Sequence, residues 1–344
     1  MAYGFYHSLT IDHTQVSATL SNYPVLVNFT DANLATVANG GHVTSSSGFD
    51  IGFFSDTGAN NKLNWEIERY TATTGEVVAW VKLPTVNSGP PNTVFYIFYG
   101  DSTITTDQST PTGVWDADFM GVYHMKDGST LSVLDSTTQH NGTNNGATAG
   151  AGEIDGCGSF ASASSQYIDL GSAMNPQKIT LQAWANGTTF PNAYNAVVAR
   201  VGASSFSYIF VKSTGKLAMG VVVGAGINVT YDGTGSNTLS AGTWYNLFLT
   251  YDGTTLTGYV NGSSDATATQ SGLINTASTP MSIGRDPFNS GRLFNGLIDE
   301  VRISDLARSS AWISAEYTFH KQNTTVVIHG NQTPASFGYL YGWS

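Results

Sequence analysis

The chain is expected to be all-β, folded as two antiparallel β-sandwich (jelly-roll) domains with one short helix near the C-terminus. Three observations lead there. Charged residues make up only 11% of 344, aromatics reach 12%, and glycine occurs 38 times. Short β-branched and aromatic runs recur along the whole chain, separated by Gly, Asn and Asp. Strands of even spacing punctuated by turn residues are the pattern of sandwiches and barrels, and 344 residues suffice for two cores.

The first domain is expected over residues 1–103. Phe5–Ile11 alternates, Tyr23–Phe29 follows, and Phe49–Phe54, Leu63–Arg69, Glu76–Leu83 and Thr93–Tyr99 complete the set. Residues 104–113 are polar, rich in turn residues and without periodicity, which predicts a linker. A second domain is expected over 114–322. It opens at Gly121–Met125 and continues through a loop, Leu134–Gly142, into Ile179–Trp184, Phe206–Val211 and Lys216–Val223. The segment from Thr243 to Gly262 reads as strands joined at Asp252-Gly253 and Asn261-Gly262, dipeptides that accept the positive φ of tight turns. Met281–Arg285 and Phe294–Ser304 close the domain. Asp305–Phe319 predicts the helix, capped by Ser310, with Trp312, Ile313 and Tyr317 on its apolar face and the whole packed across a sandwich edge. Thr324–Ile328 reads as one more strand, and 323–344 as a C-terminal strand with an aromatic tail. Such a tail should be covered, by the first domain or by a partner subunit.

Composition excludes several functions. Net charge is −11 with 13 basic residues, so no basic face exists to displace counterions from nucleic acid or to meet an anionic membrane. No apolar run approaches the ~20 residues of a spanning helix, so membrane insertion is not expected. Cys157 is the sole cysteine, which rules out an intrachain disulfide and a thiolate cage, and its glycine neighbours predict a buried strand residue. The start of the chain lacks a basic region and an apolar signal core, which points to a chain kept in the cytoplasm or released by lysis onto a virion surface or, if a leader has been trimmed, to an extracellular setting.

The paired runs Asn64–Arg69 and Val78–Pro84, with the closing Phe95–Asp101, resemble an uncharacterised prokaryotic β-sandwich family that often precedes laminin-G-like domains. That family carries no settled activity. Thr243–Gly262, Met281–Arg285 and Phe294–Ser304 occur in an order that resembles a laminin-G-like domain, a concanavalin-A-like jelly roll. This second resemblance implies a recognition scaffold and one structural Ca2+, held in such domains between an early Asp-x-Ser loop and a late Ile-Asp-Glu-Val strand. The matching positions here are Asp135 and Asp299, with Asn141 and Gly142 able to supply further oxygens from the first loop. The run Thr137-Thr138-Gln139-His140 departs from the commoner glycine-rich loop. The plain alternative is that Asp135 makes an Asx-turn and Asp299 caps a strand end.

Catalytic motifs are lacking: there is no Gly-x-Ser-x-Gly elbow, phosphate loop or His-Glu-x-x-His. The seven histidines are scattered singly and read as ordinary core or surface imidazoles. Glu66 and Glu68 share a strand face about 6.5 Å apart, a separation that glycosidases use, but they are expected to be solvated or salt-bridged to Arg69 or Lys82. Sugar sites need an aromatic platform with convergent polar groups, and Tyr194, Phe206, Tyr208, Tyr231, Arg285 and Phe288 are the candidates. Trp184 and Trp244 are expected in the core. The chain is therefore read as a non-enzymatic recognition or structural protein. It would bind glycan or another surface polymer, be displayed on a phage virion as a decoration or tail-associated adhesin, and contact other virion subunits or further copies of itself. A secreted bacterial or archaeal carbohydrate-binding protein is the alternative, and a glycoside hydrolase ranks last.

Overall fold

The computed structural model describes residues 3–126, 130–321 and 323–335. Six strands come first: β1 (Phe5–Ile11), β2 (Leu20–Thr30), β3 (Gly52–Phe54), β4 (Asn64–Thr71), β5 (Glu76–Val86) and β6 (Thr93–Tyr99). A single turn, α1 (Pro111–Val114), precedes β7 (Phe119–Tyr123), β8 (Thr143–Asn145), β9 (Thr148–Ala151), β10 (Gly156–Phe160), β11 (Tyr167–Asp169) and β12 (Ile179–Gly187). Next come β13 (Tyr194–Val201), β14 (Phe206–Lys212), β15 (Leu217–Val223), β16 (Ile227–Asp232), β17 (Tyr245–Tyr251), β18 (Thr255–Val260) and β19 (Ser263–Thr269). The chain ends in β20 (Ser282–Ile283), β21 (Gly296–Ser304), α2 (Ser310–Lys321), α3 (Asn323–Val326), β22 (Val327–His329) and β23 (Thr333–Pro334).

Two compact units result: Met1–Val114 with Thr318–Ser344, and Trp115–Tyr317. In the first, one sheet runs β22-β1-β6-β3 with β23 also on β1, and a second runs β2-β5-β4. Trp65, Trp80, Val25, Val27, Phe53 and Phe95 are wholly buried there. The expected strand at Phe49–Phe54 is shorter than its apolar pattern suggests. Asp50 is buried and accepts hydrogen bonds from Thr44 N, Thr44 Oγ1, Ser45 N and Gly100 N, which holds Phe49–Ile51 in a turn.

The sequence reading set 104–113 apart as a linker and 323–344 as a tail, and both change. Ile104 joins an aromatic cluster with Tyr3, Phe54 and Phe98, and Thr110 bonds Asn64 Oδ1 and the Trp65 carbonyl, so this polar stretch is packed. At the other end, β22 pairs antiparallel with β1, setting Leu9 opposite His329. The strand expected at Thr324–Ile328 begins later, because Asn323 opens the turn α3 and fastens it to β2. Asn323 Oδ1 accepts from Asn28 N at 3.0 Å and its amide donates to Leu26 O at 2.6 Å. The aromatic segment 336–344 lies outside the described residues.

In the second unit one sheet runs β19-β18-β17-β12-β21-β10-β9, with β7 also on β21, and the other runs β16-β15-β14-β13-β20-β11-β8. Their facing sides share one core that includes Leu181, Ala183, Leu247, Leu249, Ile209, Val211, Met219 and Val221. Each of the Leu, Ile, Val and Met side chains among them contributes about 1.5–3 kcal/mol on burial. The expected turns are present: Gly253 has φ +101°, and Asn261 and Gly262 both have positive φ, at +51° and +78°. Cys157 is buried, its thiol donating to Ala151 O at 3.3 Å. Helix α2 starts at Ser310, but its cap is Ser309, whose Oγ accepts from Trp312 N at 3.2 Å. It packs across the outer face of a sheet rather than an edge: Ile313 meets Phe248 and Tyr259, and Tyr317 lies 6.0 Å from Trp184. Trp184 is thus buried beneath the helix, while Trp244 precedes β17 and is half-buried, outside the core.

Replacing Asn323 with Ala leaves the half-buried Asn28 N–H and the buried Leu26 carbonyl without these bonds. At about 1–3 kcal/mol for each orphaned group, Asn323→Ala should lower the urea midpoint of the first unit by about 2–4 kcal/mol of stability. An unchanged midpoint would show that the return segment is held elsewhere.

Candidate functional site

Successive side chains of a strand point to opposite faces, and this separates the residues of β14 cleanly. Ile209 and Val211 enter the core, while Phe206, Tyr208, Phe210 and Lys212 stand on the outer face. Opposite Tyr208 the neighbouring strands place Ala199 and Gly220, and opposite Phe210 they place Ala196 and Ala218. Small residues on both flanks leave room for a row of rings. Tyr208 and Phe210 stack 4.2 Å apart and within 11° of parallel, and Phe206 lies 5.2 Å from Tyr208. Gly220 makes room here: a Cβ would stand 2.5 Å from Thr230 Cγ2 and 3.0 Å from both Phe206 and the Tyr208 hydroxyl, so these side chains would have to shift.

A polar wall rises on the far side. Asn228, Thr230 and Asp232 share the outer face of β16, since the intervening Val229 and Tyr231 turn into the core. The cleft between the two walls measures 690 Å³ and is bounded at one end by Phe288, Asn289 and Arg292. Asp286 shapes that loop by accepting from Phe288 N, Asn289 N and Arg292 Nη1. Phe288 is left 65% exposed beside the ring row.

The charges at the cleft are paired. Asp232 accepts from Lys212 Nζ and from the Tyr194 hydroxyl, each at 2.8 Å. Burial opposes ionisation of Asp232, but these bonds outweigh it and hold its carboxyl below the ordinary carboxylate range. The same bonds raise Lys212 and Tyr194 above their usual values. The Arg292 guanidinium lies 4.7 Å from the Tyr194 ring and bonds Asp286 at 3.1 Å. The result is an apolar aromatic surface beside fixed donors and acceptors with no excess charge.

The structure brings together Tyr194, Phe206, Tyr208 and Phe288 of the sequence candidates. Tyr231 is corrected: it is 4% exposed and crosses the core, so close to Gly258 that a Cβ there would overlap its hydroxyl. Arg285 also lies elsewhere. It stacks 3.4 Å above Tyr167 and bonds Asp169, lining a separate cavity of 220 Å³. Phe210, Asn228, Thr230, Asp232 and Arg292 were missed. The first four carried a signal, the alternation of β14 and β16; Arg292 carried none, because its loop is placed by tertiary bonds.

The proposed calcium ligands have other partners. Asp135 is buried and its carboxylate accepts five hydrogen bonds, from Val122 N, Thr137 N, Thr137 Oγ1, Gln139 N and His140 N. Asn141 Oδ1 accepts from Asp135 N, and Gly142 N donates to Val133 O. Asp299 is buried and accepts from Glu153 N and Ile154 N. Calcium needs six or more converging oxygens, whereas N–H and O–H donors occupy both oxygens of Asp135 and two N–H groups occupy Asp299 Oδ2. The residues do not fit that ion as arranged. Glu66 and Glu68 are buried rather than solvated, and Glu68 accepts from Trp80 Nε1 at 2.8 Å, while Arg69 pairs with Glu76.

Residues 162–314 match the profile of the concanavalin A-like lectin/glucanases superfamily. This part of the chain is a laminin-G-like domain. Residues 47–137 match a domain of unknown function, DUF2341, so a first domain of unsettled activity precedes the laminin-G-like one. No curated protein sequence matches the chain. Similar solved structures include domain 4 of AbnA, an extracellular GH43 arabinanase from Geobacillus stearothermophilus in complex with arabinotriose. It is 17% identical over 58% of this chain and 98% of that domain, with a TM-score of 0.49. The binding domain of Paraclostridial Mosquitocidal Protein 1 is 14% identical over 58% of this chain and 52% of its own, at 0.48. A heptameric pentraxin from Limulus polyphemus is 18% identical over 41% of this chain and 70% of its own, at 0.32. These likenesses concern fold and not ligand.

Asp135→Ala should cost about 2–4 kcal/mol, because several buried donors lose their acceptor together. The loss should be equal with calcium or with EDTA present, and the unfolding midpoint of the unaltered chain should not move with either. A midpoint lowered by EDTA in the unaltered chain and restored by calcium would place an ion at this loop.

Proposed function

We propose that the laminin-G-like domain is a non-catalytic carbohydrate-recognition module and that it binds through the outer face of β13–β16. One observation carries the reading: the row Phe206, Tyr208 and Phe210 shares a 690 Å³ cleft with the polar edge Asn228, Thr230 and Asp232. A sugar presents C–H groups on one side and hydroxyls at its rim, so it needs an apolar ring surface next to fixed donors and acceptors. Tyr194, Lys212 and Asp232 hold one another in place, so a ligand meets an edge that is already organised. The paired charges favour a neutral polymer over a strongly anionic one.

The non-catalytic part of the reading is supported by the carboxylates. Glycosidases use two, on either side of the scissile bond, and among the described residues lining the cleft Asp232 is the one carboxylate, already bonded to Lys212 and Tyr194. Glu66 and Glu68 are buried in the other unit. The proposal includes the setting expected from the sequence, a virion or other extracellular surface where a polymer can reach the cleft.

A glycan array followed by calorimetry on the best ligand tests this. Phe206→Ala and Tyr208→Ala should each weaken binding by about tenfold or more, as anchor residues do, and Asp232→Asn by a smaller factor. All three positions are on the outer face, so far-UV circular dichroism should be unchanged. Absence of any glycan ligand, or a ligand whose affinity ignores all three changes, would refute the assignment.

A further inference from the structure

We propose that His7, Asp31 and His329 of the first unit bind a single divalent transition-metal ion of the zinc class. The pairing of β1 with β22 sets Leu9 opposite His329. His7, two residues from Leu9, therefore shares a sheet face with His329 as its diagonal neighbour. Asp31 follows β2 directly and completes the cluster. Its Oδ2 lies 3.7 Å from His7 Nε2 and 4.0 Å from His329 Nδ1, and the three atoms are all within 4.8 Å of one another. A tetrahedral ion with bonds of about 2.0–2.1 Å holds its ligand atoms about 3.4 Å apart, so the carboxylate is within a fraction of an ångström of the needed separations.

The tautomers favour an ion. His7 Nδ1 is 2.8 Å from the carbonyl of Gly330. A carbonyl only accepts, so Nδ1 carries the proton and Nε2 turns its lone pair to the cluster, the arrangement that orients metal-ligating imidazoles. The Tyr99 hydroxyl lies 2.7 Å from Nε2, so an ion that takes this lone pair must displace the phenol O–H from it. Asp31 is aimed as well: its Oδ1 accepts from Asn33 N and Nδ2, both at 2.9 Å, which directs Oδ2 to the rings. The His329 ring is fixed by stacking on Phe29 at 4.7 Å.

Two nitrogens and one oxygen suit zinc and its transition-metal neighbours, whereas calcium and magnesium want oxygen alone. The side chain of His7 is 0% exposed, that of Asp31 15% and that of His329 40%. One side is therefore open for entry of the ion and for a water as fourth ligand. A bound ion would join the first strand, the end of β2 and the returning C-terminal strand, so it would stabilise closure of this unit by mass action.

The test uses the full chain without an affinity tag, stripped by chelator and titrated with Zn2+ by calorimetry, with metal content measured after dialysis. One ion per chain and a higher melting temperature are expected. Co2+ should give the visible absorption of a low-symmetry site. His329 lies half open on an edge strand, so His329→Gln should fold normally and weaken Zn2+ binding at least about tenfold. Asp31→Asn, which keeps the bonds to Asn33, should do the same. Lack of stoichiometric uptake by the unaltered chain, or uptake insensitive to both substitutions, would overturn the proposal.

Discussion

The second unit depends on one constraint: neighbouring side chains of a strand cannot share a face. In β14 this sends Ile209 and Val211 into the core and leaves Phe206, Tyr208 and Phe210 outside. In β16 it buries Val229 and Tyr231 while Asn228, Thr230 and Asp232 face outward. A slip of one residue in either strand would exchange the two sets. The shared core of the two sheets prevents the slip, since it would put Phe206 and Asp232 inside and aliphatic residues in water. Core and cleft are thus specified together.

The row of rings survives on the outside because its neighbours are small. Three aromatic side chains in succession on one strand face bury much of one another, and Phe210 is nearly inaccessible. Ala196, Ala199, Ala218 and Gly220 flank them with almost no side chain. Larger residues at those positions would prop the rings up or fill the cleft. The polar edge is fixed differently, by charge-assisted bonds converging on Asp232. Stacking sets the apolar wall and electrostatics the polar one, so neither needs a ligand to take shape.

Buried charge also organises the other outer face of this unit, beneath α2. Arg302 bonds Glu316 of the helix and Glu300 of its own strand, His124 bonds Glu300 at 2.7 Å, and Arg308 grips Asp116 through two bonds of 2.8 Å. Such groups cost several kcal/mol each to desolvate and are tolerated only when paired. The Arg302–Glu316 bond ties α2 to the sheet beside the packing of Ile313 on Phe248 and Tyr259. Nothing in the spacing of these residues along the chain distinguishes them from surface charges.

The sequence by itself determined what is local. Alternation and turn dipeptides mark β1, β5, β6, β12, β14 and β15, the turns at Asp252-Gly253 and Asn261-Gly262, and the all-β class, because those features depend on period and on φ at single residues, whereas the sequence reading marks no strand at β13, β16 or β19. Part of the cleft was legible for the same reason, since Tyr194, Phe206 and Tyr208 stand out as aromatics at strand positions. The tertiary structure decided everything that joins distant segments. Alternation puts Tyr231 on the same face of β16 as Val229, and the opposing sheet makes that face the inner one. Asp135 reads equally well as a metal ligand or a turn former until the five donors around it are in place. His7 and His329 look solitary in a linear chain and become neighbours only when β22 pairs with β1. Local periodicity cannot encode such meetings, because they arise from the hydrogen-bonded register of strands more than three hundred residues apart.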